Sequence, residues 1–415
     1  MKNLKNRDDY KNYDNEEKKA AAVRFALDKM EAPAEYKKRA KAEDKIVGRN
    51  RGNVLVRAAQ SIFPQKTDSK GEIARKLFLI AAVIVLVGSL SFLCWQLFSI
   101  DNSNKRDQTV AEIAGSPIVD VDVDLNYSMP HQIENPIMSE VSEPGTEEPE
   151  YIDLTPVVNK PLNINWEKLW EINPDVKAWI KLTGTLINYP VVQASDNNYY
   201  LTHDIDGNES ISGSIFSSYR NTWDGNDDNT ILFGHNMKGG TYFSYLVHYV
   251  PNDWSKEPLA FYKVHPTIQM ATPDGGSQTY KIFAGIIANT DEKNGEVFKY
   301  VSKTRFTDAD DFNNFMIDVM DRSWFFTDVD LKYGDDIITM STCWWPLGRN
   351  IDTRWVVFAR RVRTEEGESA DVDTTVATRN YGAKLFDYYY KVIGGKWRGS
   401  TWDKSKLLSY KPREE

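Results

Sequence analysis

The sequence predicts a mainly β domain, an antiparallel barrel or sandwich of short strands with inserted helices, carried behind one N-terminal transmembrane helix. Three observations predict it. A charge-free apolar run occupies residues 77–100, polar or acidic stretches flank it on both sides, and from residue 161 onward short β-rich runs follow one another with turn chemistry between them. The 415 residues therefore divide by character into a charged tail (1–76), a membrane helix (77–100), an acidic spacer (101–160), a folded domain (161–363) and a C-terminal extension (364–415).

The run LFLIAAVIVLVGSLSFLCWQLFSI is long enough, at about 1.5 Å per helical residue, to cover the ~30 Å hydrocarbon core. A cleavable signal peptide is disfavoured because a long polar segment precedes the run and no small-residue cleavage pattern follows it. Residues 57–76 hold Arg57, Lys66, Lys70, Arg75 and Lys76, whereas 101–120 hold only Lys105 and Arg106. The positive-inside rule thus predicts a single-pass plasma-membrane protein with a cytoplasmic N-terminus and an extracytoplasmic folded domain. Residues 1–76 carry a charge near +8, so the remainder carries about −17 of the total −9. An acidic exterior argues against nucleic acid as partner.

The tail reads as solvated, with a helix over 16–44 interrupted at Pro33. The spacer combines many carboxylates with scattered prolines and few large apolar residues, a composition too poor in buriable surface to fold. At the start of the folded part, Asn165 caps a short helix in which Trp166, Leu169 and Trp170 fall at i, i+3 and i+4, and Asn173-Pro174 ends it. Strands are predicted over 178–182, 187–193, 213–217, 230–233, 260–262, 267–271, 279–287, 336–342 and 355–362. Two helices interrupt them, one over 241–249 and one over 308–321. In the second, Phe312, Phe315, Met316, Val319 and Met320 form a core-facing stripe. The extension opens acidic (TEEGESADVD) and turns aromatic and basic (YGAKLFDYYYKVIGGKWRG), fitting either a helix packed on the barrel or a surface element. The Asp-rich stretches 204–210 and 224–229 lack the ligand spacing of an EF-hand and read as polar turns.

Of two cysteines, Cys94 lies in the membrane run, leaving Cys343 alone outside. An unpaired thiol there is either a buried small hydrophobe or a working group. Cys343 ends one predicted strand and Arg354 opens the next, so an antiparallel hairpin would place a nucleophile beside a permanent cation at one end of the sheet. Such a guanidinium favours thiolate and can stabilise an oxyanion. Among five histidines, His131 lies in the spacer, and His203, His248 and His265 occupy loop, helix and inter-strand positions. His235 ends a strand, as Cys343 does.

TMSTC, residues 339–343, resembles the TLxTC signature of sortases, with Met340 in place of the usual leucine. ILFGHN, residues 231–236, resembles the family's catalytic-histidine segment, and Arg354 before a hydrophobic run resembles its conserved arginine. Residues 173–204 and the helix near 308–321 look most like class B. The resemblance covers roughly residues 161–363 and implies a closed barrel of about eight strands with inserted helices.

It further implies a cysteine transpeptidase needing no metal or organic cofactor. By it, Cys343 attacks the Thr carbonyl of a C-terminal sorting signal, His235 protonates the departing amine and deprotonates the incoming one, and Arg354 stabilises the oxyanion or aligns the substrate backbone. Thr342 is implied to help position the sorting-signal Thr or the oxyanion. The implied partners are surface or pilin proteins bearing the signal, with a peptidoglycan precursor or a pilin lysine supplying the acceptor amine. Class B members often carry an acidic residue after the cysteine, whereas Trp344-Trp345-Pro346 follow here, read as an aromatic wall beside the nucleophile. The alternatives are a sortase-like protease that hydrolyses and a silent sortase-like assembly factor. A papain-like order is disfavoured, since its nucleophile would precede the histidine.

Overall fold

The computed structural model describes residues 62–116, 154–237 and 239–410, which fall into two compact units, Met1–Cys94 and Trp95–Glu415. The expected cytoplasmic helix over 16–44 and most of the acidic spacer lie outside the described residues.

A helix, α1 (Lys70–Ile113), begins in the first unit, where Ser69 Oγ accepts from the backbone of Glu72 at 3.2 Å and Lys76 pairs with Asp68 at 2.8 Å, and its residues from Trp95 onward belong to the second. A capped start of this kind satisfies donors that the helix cannot use internally. Among the described residues α1 is the one helix long and apolar enough to cross a membrane, and none of its most apolar window is buried in protein. Its length departs from expectation. The helix runs on through 101–113, residues that the charge pattern assigns to the spacer. The reason is local: Val110, Ala111 and Ala114 form a small apolar face, fully buried against Trp179, Val192 and Phe216, which the polar average of a sixty-residue segment conceals.

In the second unit Asn165 caps α2 (Trp166–Ile172) through its side chain, as its position predicts. Eight strands then close a barrel in the order β1-β2-β3-β4-β8-β9-β6-β5: β1 (Val176–Lys181), β2 (Asn188–Val192), β3 (Phe216–Ser217), β4 (Asn229–Phe233), β5 (Thr267–Thr272), β6 (Gly276–Asn289), β8 (Ile337–Cys343) and β9 (Thr353–Arg361). Closure removes exposed sheet edges and rules out the sandwich. The barrel is mixed, because β2 pairs with β3 and β4 with β8 in parallel. Between β4 and β8 the chain detours through β5, β6 and two further helices, so it can return in the same direction.

Two sequence expectations change type. Residues 260–262 are helical, in α3 (Ala260–Val264), and the segment near 241–249 is a 3-10 turn over Ser244–Tyr249. Each is a short buried apolar run whose periodicity does not separate helix from strand. The second long helix appears as expected, as α4 (Ala309–Arg322), with Asp308 accepting from Asp311 N.

Alternation along the strands makes two cores. Ile338, Met340, Trp355, Val357 and Ala359 face the lumen, whereas Ile337, Val356 and Phe358 face outward beneath α4, meeting Phe312, Phe315, Met316, Val319 and Met320. Burying each such side chain contributes about 1.5–3 kcal/mol. The lumen is filled closely: a Cβ on Gly285 in β6 would lie 2.6 Å from Trp355 and 2.7 Å from Phe325.

The C-terminal extension packs on the barrel. Ala383, Phe386 and Tyr389 join the lumen cluster, the last from α5 (Asp387–Ile393), while Trp402 and Leu407 join the outer one. Its β10 (Thr378–Arg379) pairs with β7 (Phe325–Phe326). Glu368 pairs with Arg360 at 2.6 Å and Lys281 at 2.8 Å, tying the acidic stretch to β9 and β6.

Candidate active site

Strand register assembles the site. Across β8 and β9, Cys343 stands opposite Arg354, which confirms the hairpin geometry. On the other side β4 runs parallel to β8 with Phe233 opposite Ser341, so the chain leaving β4 emerges at the cysteine's end of the sheet. There Gly234 N bonds to Ser341 O at 3.2 Å and the Asn236 side-chain amide donates to the Cys343 carbonyl at 2.9 Å. His235 lies between these two clamps. One imidazole nitrogen, Nε2, lies 2.9 Å from the Leu201 carbonyl. Residue 234 has to be glycine, because a Cβ would sit 2.8 Å from the Phe243 ring and 3.3 Å from Ile215.

Burial and two charged neighbours set the charge state of the thiol. Burial pushes the Cys343 thiol up, Arg354 opposes that shift and Asp352 adds to it. Burial also works against the Arg354 cation, but a hydrogen bond to Asp352 and the fields of Cys343 and Asp352 leave it more firmly protonated than usual. The Asp352 carboxylate additionally accepts from Thr290 Oγ1 at 2.9 Å and stays below the ordinary carboxylate range despite its partial burial. Behind the cysteine, the Tyr300 hydroxyl meets Ser341 Oγ at 2.7 Å, and burial pushes that phenol up to about 12.

A family model for the sortase domain matches residues 180–362. The chain is 35% identical over 188 residues to sortase B of Listeria monocytogenes, an alignment spanning 45% of this chain and 70% of that protein. The chain belongs to the sortase family. Sortase B of Staphylococcus aureus is 33% identical over 178 residues, spanning 43% of this chain and 67% of that protein. Among solved structures, a Staphylococcus aureus sortase B–substrate complex is 32% identical, covering 47% of this chain and 83% of that one, with a TM-score of 0.41. Clostridium perfringens sortase B is likewise 32% identical, covering 48% and 100%, with a TM-score of 0.41. The family indicates a class B cysteine transpeptidase.

Within this sortase domain His235, Cys343 and Arg354 share one end of the sheet, whereas Thr342 is set apart from them. The pleat turns its side chain to the opposite face from Cys343, across from Trp355, where its buried hydroxyl has no hydrogen-bond partner among the described residues. The expected aromatic wall is also divided. Trp344 is buried edge-on against Trp324 and Trp355, each at 5.5 Å, while the half-buried Trp345 faces Arg349 at 5.1 Å.

The Asp-rich stretches form turns. Asp204 accepts from the backbone of Asp206 and Asn208, and Asp224 from Thr222 and Asn226. Among the described residues no group of three or more His, Cys, Asp or Glu could hold a metal ion. Reading strand ends alone does not reveal Asn236 or Asp352 as supports. Asp352 had one visible signal, a carboxylate two positions before the arginine on the same turn.

Proposed function

We propose that this sortase cleaves a C-terminal sorting signal of surface or pilin proteins at a Thr carbonyl and transfers the acyl group to a peptidoglycan or pilin amine. The observation that carries the reading is the cross-strand pairing of Cys343 with Arg354, with Asn236 holding the histidine's strand end against the cysteine's. The Cys343 thiolate forms a bond to the carbonyl carbon, and the carbonyl oxygen takes the displaced electron pair facing Arg354. Collapse breaks the C–N bond as His235, in its protonated form, gives a proton to the departing amine. A thioester on Cys343 remains. The acceptor amine attacks it and loses its proton to His235, and the thiolate leaves.

Thr342 acts in this reading from behind the nucleophile, through its place in β8 and not by side-chain contact with substrate. The apolar stretch of α1 anchors the enzyme with its N-terminus in the cytoplasm and its barrel outside, as the flanking charge supports.

The test incubates the full chain in detergent with a panel of sorting-type peptides and an amine acceptor, followed by intact mass. The expected result is an acyl adduct on Cys343 that resolves to an amine-linked product and is absent from Cys343→Ala. Turnover surviving in Cys343→Ala would overturn the mechanism, and resolution to free acid alone would replace transfer by hydrolysis.

A further inference from the structure

We infer that Asp107, on the last turns of α1, is a positioning residue for His235, acting through Tyr242. The Tyr242 hydroxyl donates to Asp107 Oδ2 at 2.8 Å. Tyr242 is the point at which the segment after the histidine closes back on itself: it forms a β-bridge with Asn236, and the next residue, Phe243, donates its backbone N–H to the His235 carbonyl at 3.0 Å. The backbone of Tyr242 is held at φ +57, a left-handed conformation unfavourable for a bulky side chain. Such a residue persists where its surroundings over-determine it. Here they are a stacked ring from Tyr189 with centroids 5.0 Å apart, a bond from Tyr242 N to the Tyr189 hydroxyl at 3.1 Å, and Asp107 at the far end.

The same stretch of helix also touches the histidine's other support. His235 Nε2 contacts the Leu201 carbonyl, and Leu201 leads into a loop that Ser210 N closes onto Thr202 O at 2.8 Å. Ser103 Oγ meets Ser210 Oγ at 3.0 Å, and Arg106 grips Asp206 with two bonds of 2.6 Å each. Three side chains of α1, at 103, 106 and 107, thus hold both segments between which the imidazole sits. Of the three, Asp107 alone leads directly to the residues flanking His235. It does not touch substrate or the reacting atoms, so its effect is on geometry and not on chemistry.

This inference rests on the proposed role of His235 in proton transfer, and its test has one readout that does not need turnover. In the full chain in detergent micelles, Asp107→Ala and Tyr242→Phe should each lower kcat about tenfold, equivalent to ~1.4 kcal/mol, while KM stays within about twofold. Asp107→Asn keeps an acceptor oxygen for the tyrosine and should restore most of kcat. The double variant Asp107→Ala/Tyr242→Phe should be no worse than either single one, because both remove the same bond. Hydrogen–deuterium exchange over residues 234–243 should rise in the Ala and Phe variants and stay low in Asp107→Asn, with β8 and β9 unchanged. Unchanged exchange at 234–243 in Asp107→Ala, or an equal loss in Asp107→Asn, overturns the inference. A wild-type chain without turnover would instead sink the transpeptidase reading, and the exchange result would still decide whether Asp107 orders the histidine segment.

Discussion

The Asn236 side-chain amide donates to the main-chain carbonyl of Cys343 at 2.9 Å, a bond between residues 107 positions apart that locks the end of β4 to the end of β8. Parallel strands need such a lock at their ends, because no tight turn fixes their register.

Removing that bond should be felt by activity more than by stability. A hydrogen bond of this kind contributes about 1 kcal/mol net. Asn236→Ala is therefore expected to lower the unfolding free energy by about that amount, and to lower turnover at least tenfold, equivalent to ~1.4 kcal/mol on the barrier, by freeing His235. Asn236→Asp should be worse than Ala, since a carboxylate would face the carbonyl it is meant to donate to. Peptide turnover set beside thermal unfolding in the same detergent checks the order.

Asp352 divides the charge of Arg354 between a carboxylate and the thiol. Its own field pushes the thiol up, in the same direction as burial and against Arg354. Asp352→Asn should therefore lower the pH at which Cys343 becomes nucleophilic, and Arg354→Ala should raise it. The rate of alkylation by iodoacetamide against pH measures this. At pH 7.5 the Asn variant should react several-fold faster than wild type and the Ala variant several-fold slower, and a common profile for all three would dissociate the ion pair from the thiol.

The part of this site that depends on strand ends was legible in the sequence. A strand terminating at Cys343, another beginning beside Arg354 and a third terminating before His235 follow from β-branched runs and turn residues, and closure of the sheet does the rest. What pattern does not carry is which distant side chain meets which backbone. Asn236 looks like an ordinary residue after a strand, and Asp107 sits in a segment whose mean polarity argues for an unfolded spacer. The helix there is held by three small or β-branched residues, Val110, Ala111 and Ala114, whose burial depends on Trp179 and Phe216 arriving from elsewhere. Residues 260–262 mislead for a related reason: Ala-Phe-Tyr is buried on all sides, so neither period shows. The face of Thr342 was readable in principle, since alternation from Cys343 already turns it inward.

The C-terminal extension should prove essential to the fold. Phe386 is buried beside Tyr389, with centroids 5.6 Å apart, and Tyr389 meets Trp324 edge-on at 6.2 Å, which in turn packs on the Trp344 that follows the nucleophile. Phe386→Ala is expected to cost about 3–5 kcal/mol, the usual range for emptying a buried aromatic site. Denaturant unfolding followed by tryptophan fluorescence measures it, and a loss under 1 kcal/mol would mean that the extension merely covers the barrel.

Two buried histidines should make the barrel sensitive to mild acid. His248 and His265 lie against Phe261, at 5.2 and 4.5 Å between ring centroids, and burial brings each imidazole down to about 4. In His265 a hydrogen bond with the Thr183 carbonyl opposes that shift and the neighbouring His248 adds to it. In the unfolded chain both bind a proton near pH 6.5, so between there and about pH 4 the unfolded state holds more protons than the folded one. Stability from these groups is fully present above pH 6.5 and declines as pH falls toward the folded values near 4, by a few kcal/mol for the pair. Glu368, held far below the carboxylate range by Arg360, the Arg363 amide and Lys281 against its burial, loses its contribution only under stronger acid. Burial brings the Asp107 carboxyl up to about 7, so that group favours the folded state as pH falls and opposes the histidines. The unfolding midpoint should therefore fall between pH 6.5 and 4.5 more steeply in wild type than in His248→Gln/His265→Gln. Equal slopes for wild type and the double variant would assign the acid sensitivity to other groups.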